Sequence, residues 1–150
     1  MKPILCVDFD GVLHSYASGW KGARNIPDPP VDGAMEFLDE AQEYFQVNVY
    51  SSRSRQFGGK RAMKKWLLTY LEEYICKKYS YDHFDELLDP FNPEQYSHTA
   101  LAKDILSYIK FPTKKPAAFL TIDDRCFLFR GTFPYPKELL EFKPWTKKEV

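Results

Sequence analysis

Three cysteines, Cys6, Cys76 and Cys126, are few, scattered and odd in number, and no Cys-x-x-Cys pair is present. A disulfide framework and a cysteine zinc site are therefore excluded, and a reducing compartment is expected. An excess of either charge is missing as well, since 21 Lys and Arg balance 21 Asp and Glu. That balance excludes a globally basic nucleic-acid coat or a polybasic membrane binder, while leaving room for a local patch. No apolar run approaches the roughly 18 residues of a membrane span, and Pro3 to Val7 is too short for the apolar part of a signal peptide. A cytoplasmic protein with no membrane partner is expected. Repeats and low-complexity stretches are also lacking, which excludes solenoids and linker-like chains. What the chain does have is apolar and aromatic side chains, 44% and 17% of its 150 residues. That is enough to offset the entropy of ordering, so disorder is excluded and one domain over residues 1–150 is expected.

Ile4-Leu5-Cys6-Val7 is a continuous apolar run ending at Asp8, the pattern of a strand covered on both faces of a parallel sheet. From Gly11 to Pro30, glycines and prolines without a sustained period indicate a flap over about residues 11–30. Asp32 is the expected N-cap of a helix on which Val31, Met35, Leu38, Ala41 and Phe45 recur every three to four positions. Phe45 to Tyr50 alternates like a strand and delivers Ser51-Ser52-Arg53 at its carboxyl end. After Gly58-Gly59, Met63, Trp66, Leu67, Tyr70, Leu71, Tyr74 and Ile75 form the stripe of a second helix. Lys60, Arg61, Lys64 and Lys65 crowd its first two turns. The acidic stretch Tyr79 to Thr99 is expected as loop with short helical turns. Leu101, Ile105, Leu106 and Ile109 fit either a helix running into a strand or a strand alone, with a short strand expected near Leu106 to Phe111. Ala117 to Ile122 is another buried-type strand, ending in Asp123-Asp124-Arg125. Cys126 to Val150 is expected to hold a short strand and a brief helix around Pro136 to Phe142.

Strands alternating with helices imply a doubly wound α/β fold, a mostly parallel sheet with helices on both faces, in which ligands bind beyond the strands' carboxyl ends. The polar residues of interest lie there: Asp8 and Asp10 after the first strand, Ser51 after the second, Lys115 before the last and Asp123-Asp124 after it. A single Asp after a strand is usually a turn former or helix cap. Four such groups at four such ends point to one shared site.

On these residues the chain resembles the haloacid dehalogenase-like (HAD) superfamily of aspartate-dependent phosphohydrolases. Asp8-Phe9-Asp10-Gly11-Val12 is similar to the first family motif, Ser51 with Ser52-Arg53 to the second, Lys115-Pro116 to the third and Ile122-Asp123-Asp124-Arg125 to the fourth. The resemblance implies a Rossmann-like phosphatase working through an aspartyl-phosphate, with Asp8 as nucleophile and Asp10 as acid and then base. Ser51 would donate to a phosphoryl oxygen, and Lys115 would balance the charge. Mg²⁺ would be held by Asp8, Asp123 and the backbone carbonyl of Asp10, with Asp124 acting through water. The chemistry agrees, because a carboxylate can approach a phosphoryl group only when a cation neutralises both, and Mg²⁺ prefers oxygen ligands. Lys114 rivals Lys115, and the following Pro116 favours the latter.

His14, Trp20, Ser52 and Arg53 are the candidate substrate contacts. His14 and Trp20, with Tyr16, lie in the flap, and Arg53 and Arg55 stand ready for a second phosphate or for the acidic stretch. The basic start of the second helix is either a solvated face or a track for a nucleic-acid backbone. His83 and His98 lack metal-like spacing. The spans from Asp10 to Ser51 and from Ser51 to Lys115 leave no room for a large cap domain, so the expected site is open apart from the flap. It suits nucleotides or nucleic-acid 3′-phosphate ends better than sugar phosphates. The 3′-phosphatase domains of polynucleotide kinases, small capless members of the superfamily, share the Ile-Asp-Asp-Arg sequence. A two-component receiver domain places adjacent acids early, the reverse of the order here. A non-catalytic metal- and phosphate-binding protein on the same scaffold is the alternative.

Overall fold

The apolar run Ile4–Val7 forms strand β1, the centre of a sheet of three parallel strands in the order β2-β1-β3, with β2 at Gln46–Val49 and β3 at Leu120–Ile122. This computed structural model describes residues 1–79 and 97–147. Register pairs Leu5 with Val47 and Leu120, and Val7 with Val49 and Ile122. Because side chains alternate along a strand, Leu5, Val7, Val47, Val49 and Ile122 share one face. Helices α1 (Ala34–Tyr44), α2 (Gly59–Lys78) and α3 (His98–Tyr108) cover that face, and their buried residues join the strand side chains in a single core. Polar ties link the helices: Tyr74 of α2 donates to Asp39 of α1 at 2.8 Å, and Gln42 of α1 donates to the Ile105 carbonyl of α3 at 3.0 Å. Each fully buried apolar side chain contributes about 1.5–3 kcal/mol.

Helices were expected on both faces, yet those of the described residues lie on one. The reason is the path of the chain. After β2 it moves outward from β1 again and forms a parallel bridge between Asn48 and Lys110, with the Val49 N–H on the Lys110 carbonyl at 2.8 Å. Two right-handed crossovers in the same direction put their helices on the same face. The opposite face, carrying Cys6 and Thr121, meets the Lys115 connection into β3 instead.

Several boundaries differ from expectation. The expected strand near Leu106 to Phe111 shrinks to the Lys110 bridge, because α3 runs to Tyr108 with Ala102 and Ile105 buried. The N-cap of α1 is Gly33, at φ 81°, and Asp32 makes no cap. Gly59 opens α2 for a different reason: a Cβ there would lie 2.0 Å from the Arg53 carbonyl oxygen, so only glycine permits the approach. Of the acidic stretch, residues 80–96 lie outside the described residues, and its end is helical from His98, capped by the Ser97 hydroxyl. Beyond β3 no strand forms among the described residues. The brief helix appears as 3₁₀ turns at Pro136–Glu141 and Trp145–Lys147. Of residues 125–147 only Pro144 is buried, and Phe127, Leu128, Phe129, Phe133 and Leu140 are exposed. No helix of the described residues is long and apolar enough to cross a membrane.

Candidate active site

The ladder between β1 and β3 extends one step past Val7, because the Asp8 N–H donates to the Ile122 carbonyl at 2.9 Å. That step sets Asp8 beside Asp123 and Asp124, which follow β3. The chain then turns at Gly11, whose φ of 82° favours glycine and whose absent side chain matters twice. A Cβ at Gly11 would stand 2.3 Å from an Asp124 carboxylate oxygen. Asp8, Asp123 and Asp124 each present one carboxylate oxygen, all within 4.8 Å of one another. The Arg125 N–H donates to Asp123 at 2.9 Å and the Phe9 N–H to Asp8 at 2.8 Å. Both Asp124 oxygens, by contrast, are buried with no hydrogen-bond partner.

The electrostatics follow from this crowding. Burial, with the neighbouring Asp123, Asp124 and Asp10 charges, pushes the Asp8 carboxyl up to about 7 against the stabilising Phe9 N–H. Burial likewise raises Asp124. Arg125 Nε stands 3.9 Å from Asp124 and offsets its charge only in part. A buried carboxylate without a hydrogen bond is costly, and an all-oxygen donor set of this kind fits a hard divalent cation.

Asp10 has the opposite surroundings. Arg53 grips its carboxylate with Nε at 2.9 and 3.1 Å and Nη2 at 3.0 Å, while Nη1 donates to the carbonyls of Gly22, Ala23 and Asn25. His14 Nε2 accepts the Asp28 N–H at 3.2 Å, so Nδ1 carries the proton and donates to Asp10 at 2.9 Å. Trp66 Nε1 in turn donates to the Asp28 carbonyl at 3.1 Å. Burial raises the Asp10 carboxyl, but the His14 and Arg53 hydrogen bonds outweigh it and hold the group below its ordinary value.

These contacts correct three expectations. Arg53 and His14 are fully buried, with their polar groups already engaged, so they brace Asp10 and the flap and are not substrate contacts. Trp20 lies over the Arg53 guanidinium at 4.7 Å and shields it; it does not line the acidic cavity. The Asp10 carboxylate is engaged by Arg53 and His14 and held below its ordinary value, so an acid role in which it begins protonated is disfavoured.

The remaining residues do converge. A cavity of about 330 Å³ is lined by Asp8, Asp10, Tyr16, Ser51, Ser52, Asp123, Asp124 and Arg125. An adjoining one of about 150 Å³ adds Lys115 and Cys6 to Asp8, Ser51, Ser52 and Asp123, whereas Lys114 lines neither. Ser51 is held by a reciprocal cap on the 3₁₀ turn Ser52–Arg55. Its Oγ accepts the Arg53 N–H at 3.2 Å and its own N–H donates to Ser54 Oγ at 3.0 Å, which leaves the Ser51 hydroxyl proton to donate into the cavity.

Arg125 lines the site without having been singled out as a site residue from the sequence, and Tyr16, expected only as a flap aromatic on which a base could stack, lines it as well. Tyr16 stands at φ 59°, a left-handed conformation that a bulky residue adopts only under constraint and that no sequence pattern announces. Trp145 Nε1 donates to the Gly11 carbonyl at 2.7 Å, a contact across most of the chain that again has no local signal. No protein-family model, curated protein or solved structure matches this chain, so the side chains themselves carry the functional reading.

Proposed function

We propose that this chain is a Mg²⁺-dependent phosphohydrolase of the HAD-like type that cleaves phosphomonoesters through an aspartyl-phosphate at Asp8. The observation that carries this reading is the carboxylate cluster Asp8, Asp123 and Asp124 at the adjacent carboxyl ends of β1 and β3, with both Asp124 oxygens buried without a hydrogen bond and only Arg125 Nε at 3.9 Å for a counter-charge. Mg²⁺ held by these three would supply the positive charge that lets a carboxylate meet a phosphoryl group.

Asp8 then attacks phosphorus as the bond to the leaving oxygen breaks, and that oxygen takes its proton from the open solvent side. Ser51 donates to a phosphoryl oxygen, and Lys115, from the adjoining cavity, offsets its charge. Water next attacks the phosphorus of the aspartyl-phosphate. Asp10, held ionised by Arg53 and His14, accepts the water's proton as phosphate departs and the Asp8 carboxylate is restored. With no side chain of the described residues poised as acid, leaving groups of low basicity should turn over fastest.

Phosphate release from aryl, nucleoside and sugar phosphomonoesters, with Mg²⁺ or excess chelator, tests this reading. Activity that needs Mg²⁺ and Asp8, with phosphate trapped on Asp8 in mass spectra, is the expected result. Activity unchanged in Asp8→Asn overturns it. The full engagement of Asp10 also favours a second reading, a cation- and phosphate-binding protein without turnover, which saturable phosphate binding without hydrolysis would establish.

A further inference from the structure

A cavity larger than the acidic one lies elsewhere on the described surface. It is a groove of about 690 Å³ between the flap at Arg24 and Ile26 and the first turns of α2, and a second cavity of about 530 Å³ adjoins it, sharing Arg24 and Phe57. Together they exceed the roughly 300–1,000 Å³ of a small-molecule cleft. Arg24, Arg61 and Lys65 line the groove, no carboxylate does, and none of the three forms an ion pair among the described residues. In a chain with no net charge, that concentration of one sign is a local exception. Phe57 is 90% exposed between the two cavities, on the 3₁₀-to-helix turn, and is not used by the core.

We infer that this groove binds a single-stranded nucleic acid, with Arg24, Arg61 and Lys65 on successive phosphates and Phe57 stacked on a base. Unpaired cations along a groove track a phosphate chain, and an exposed aromatic ring at its middle supplies a sequence-tolerant platform. An acidic peptide would satisfy the cations but give Phe57 no partner. The groove is also tied to the site: Gly22, Ala23 and Asn25, which line the adjoining cavity, are the residues whose carbonyls Arg53 holds while it grips Asp10. The inference deepens the phosphohydrolase reading by naming its substrate as a nucleic-acid end, but the binding step stands without it.

The test is fluorescence anisotropy of a labelled, 3′-phosphorylated oligothymidylate with wild type and with Asp8→Asn, the latter to keep the end intact. Binding is expected in both, falling with salt at a logarithmic slope of about −2 for three phosphate contacts. Arg61→Glu with Lys65→Glu should weaken it at least tenfold and flatten the slope. Phe57→Ala, an exposed position whose loss leaves the fold intact, should weaken it roughly tenfold. No binding at low salt, binding indifferent to these variants, or equal competition by polyglutamate would each overturn the inference. Oligonucleotide binding without hydrolysis by wild type would leave the groove standing and remove only the phosphatase.

Discussion

Asp8 and Asp10 stand two residues apart on one loop and would titrate alike in an unfolded chain, yet the fold drives them in opposite directions. Asp8 faces two further carboxylates and is pushed up to about 7, whereas Asp10 meets a buried guanidinium and an imidazole N–H and is held low. One half of the loop is left short of positive charge. The other half is supplied with it from Arg53, at the cost of burying that side chain completely. The difference separates two tasks: the Asp10 side is braced by groups of the chain itself, and on the proposed reading the Asp8 side is completed by a cation.

The sharpest way to test the contrast is to neutralise each acid in turn. Asp8→Asn should remove turnover by a factor of a thousand or more, while Asp10→Asn should retain slow turnover of an aryl phosphate and a detectable aspartyl-phosphate. Equal residual rates in the two variants would erase the division of labour.

Next in size is the brace. Arg53→Met leaves the Asp10 carboxylate uncompensated and strips three flap carbonyls of their donor, which should cost about 3–5 kcal/mol in chemical denaturation. Asp8→Asn should have the opposite sign, stabilising the cation-free protein above pH 7. An Arg53→Met protein as stable as wild type would show that the brace is dispensable.

The pH dependence gives a third measurement. Asp8 binds its proton more tightly folded than unfolded, so its contribution is most favourable near pH 4 and is lost as pH rises through about 7, by the order of 4 kcal/mol. Asp10 does the reverse, stabilising above its ordinary value and losing that contribution as pH falls below it. Calorimetry without divalent ions should therefore show stability falling between about pH 4 and pH 7, a slope that Asp8→Asn flattens. Mg²⁺ should raise Tm more at pH 8 than at pH 5.5, because protons compete for Asp8. A Tm indifferent to Mg²⁺ at pH 8 would sink the cation site. Smallest of all, Ser51→Ala should lower kcat/KM about tenfold and cost about 1 kcal/mol through its lost cap, both readable from one preparation.

Much of this was legible in the sequence. The uninterrupted apolar run into Asp8 and the stripes of α1 and α2 each follow from a period or an abrupt change of polarity, whereas the buried strand expected over Ala117 to Ile122 is only the short β3 at Leu120–Ile122, with Phe119 and Leu120 exposed. What escaped depends on distant partners. An arginine after a strand looks the same whether it reaches for a phosphate or turns inward, and only the Gly22, Ala23 and Asn25 carbonyls decide it. The stripe Leu101, Ile105, Leu106, Ile109 satisfies both periods over its short length. The outward step to Lys110, which puts the helices on one face, leaves no mark on the strands themselves.

The ladder between β1 and β3 also sets an order in time. As the chain emerges from synthesis, β1 can pair with β2 early, but its other edge must wait for Leu120 and for Trp145 to reach Gly11. Contacts that close such long loops form late and slowly. During that interval the nascent protein carries a buried half-core with an unpaired strand edge, the kind of surface that recruits other chains. Asp8 is thus made well before Asp123 and Asp124, the acids gathered beside it. A chain cut short before residue 120 would present an adhesive edge and no reactive carboxylate cluster at all.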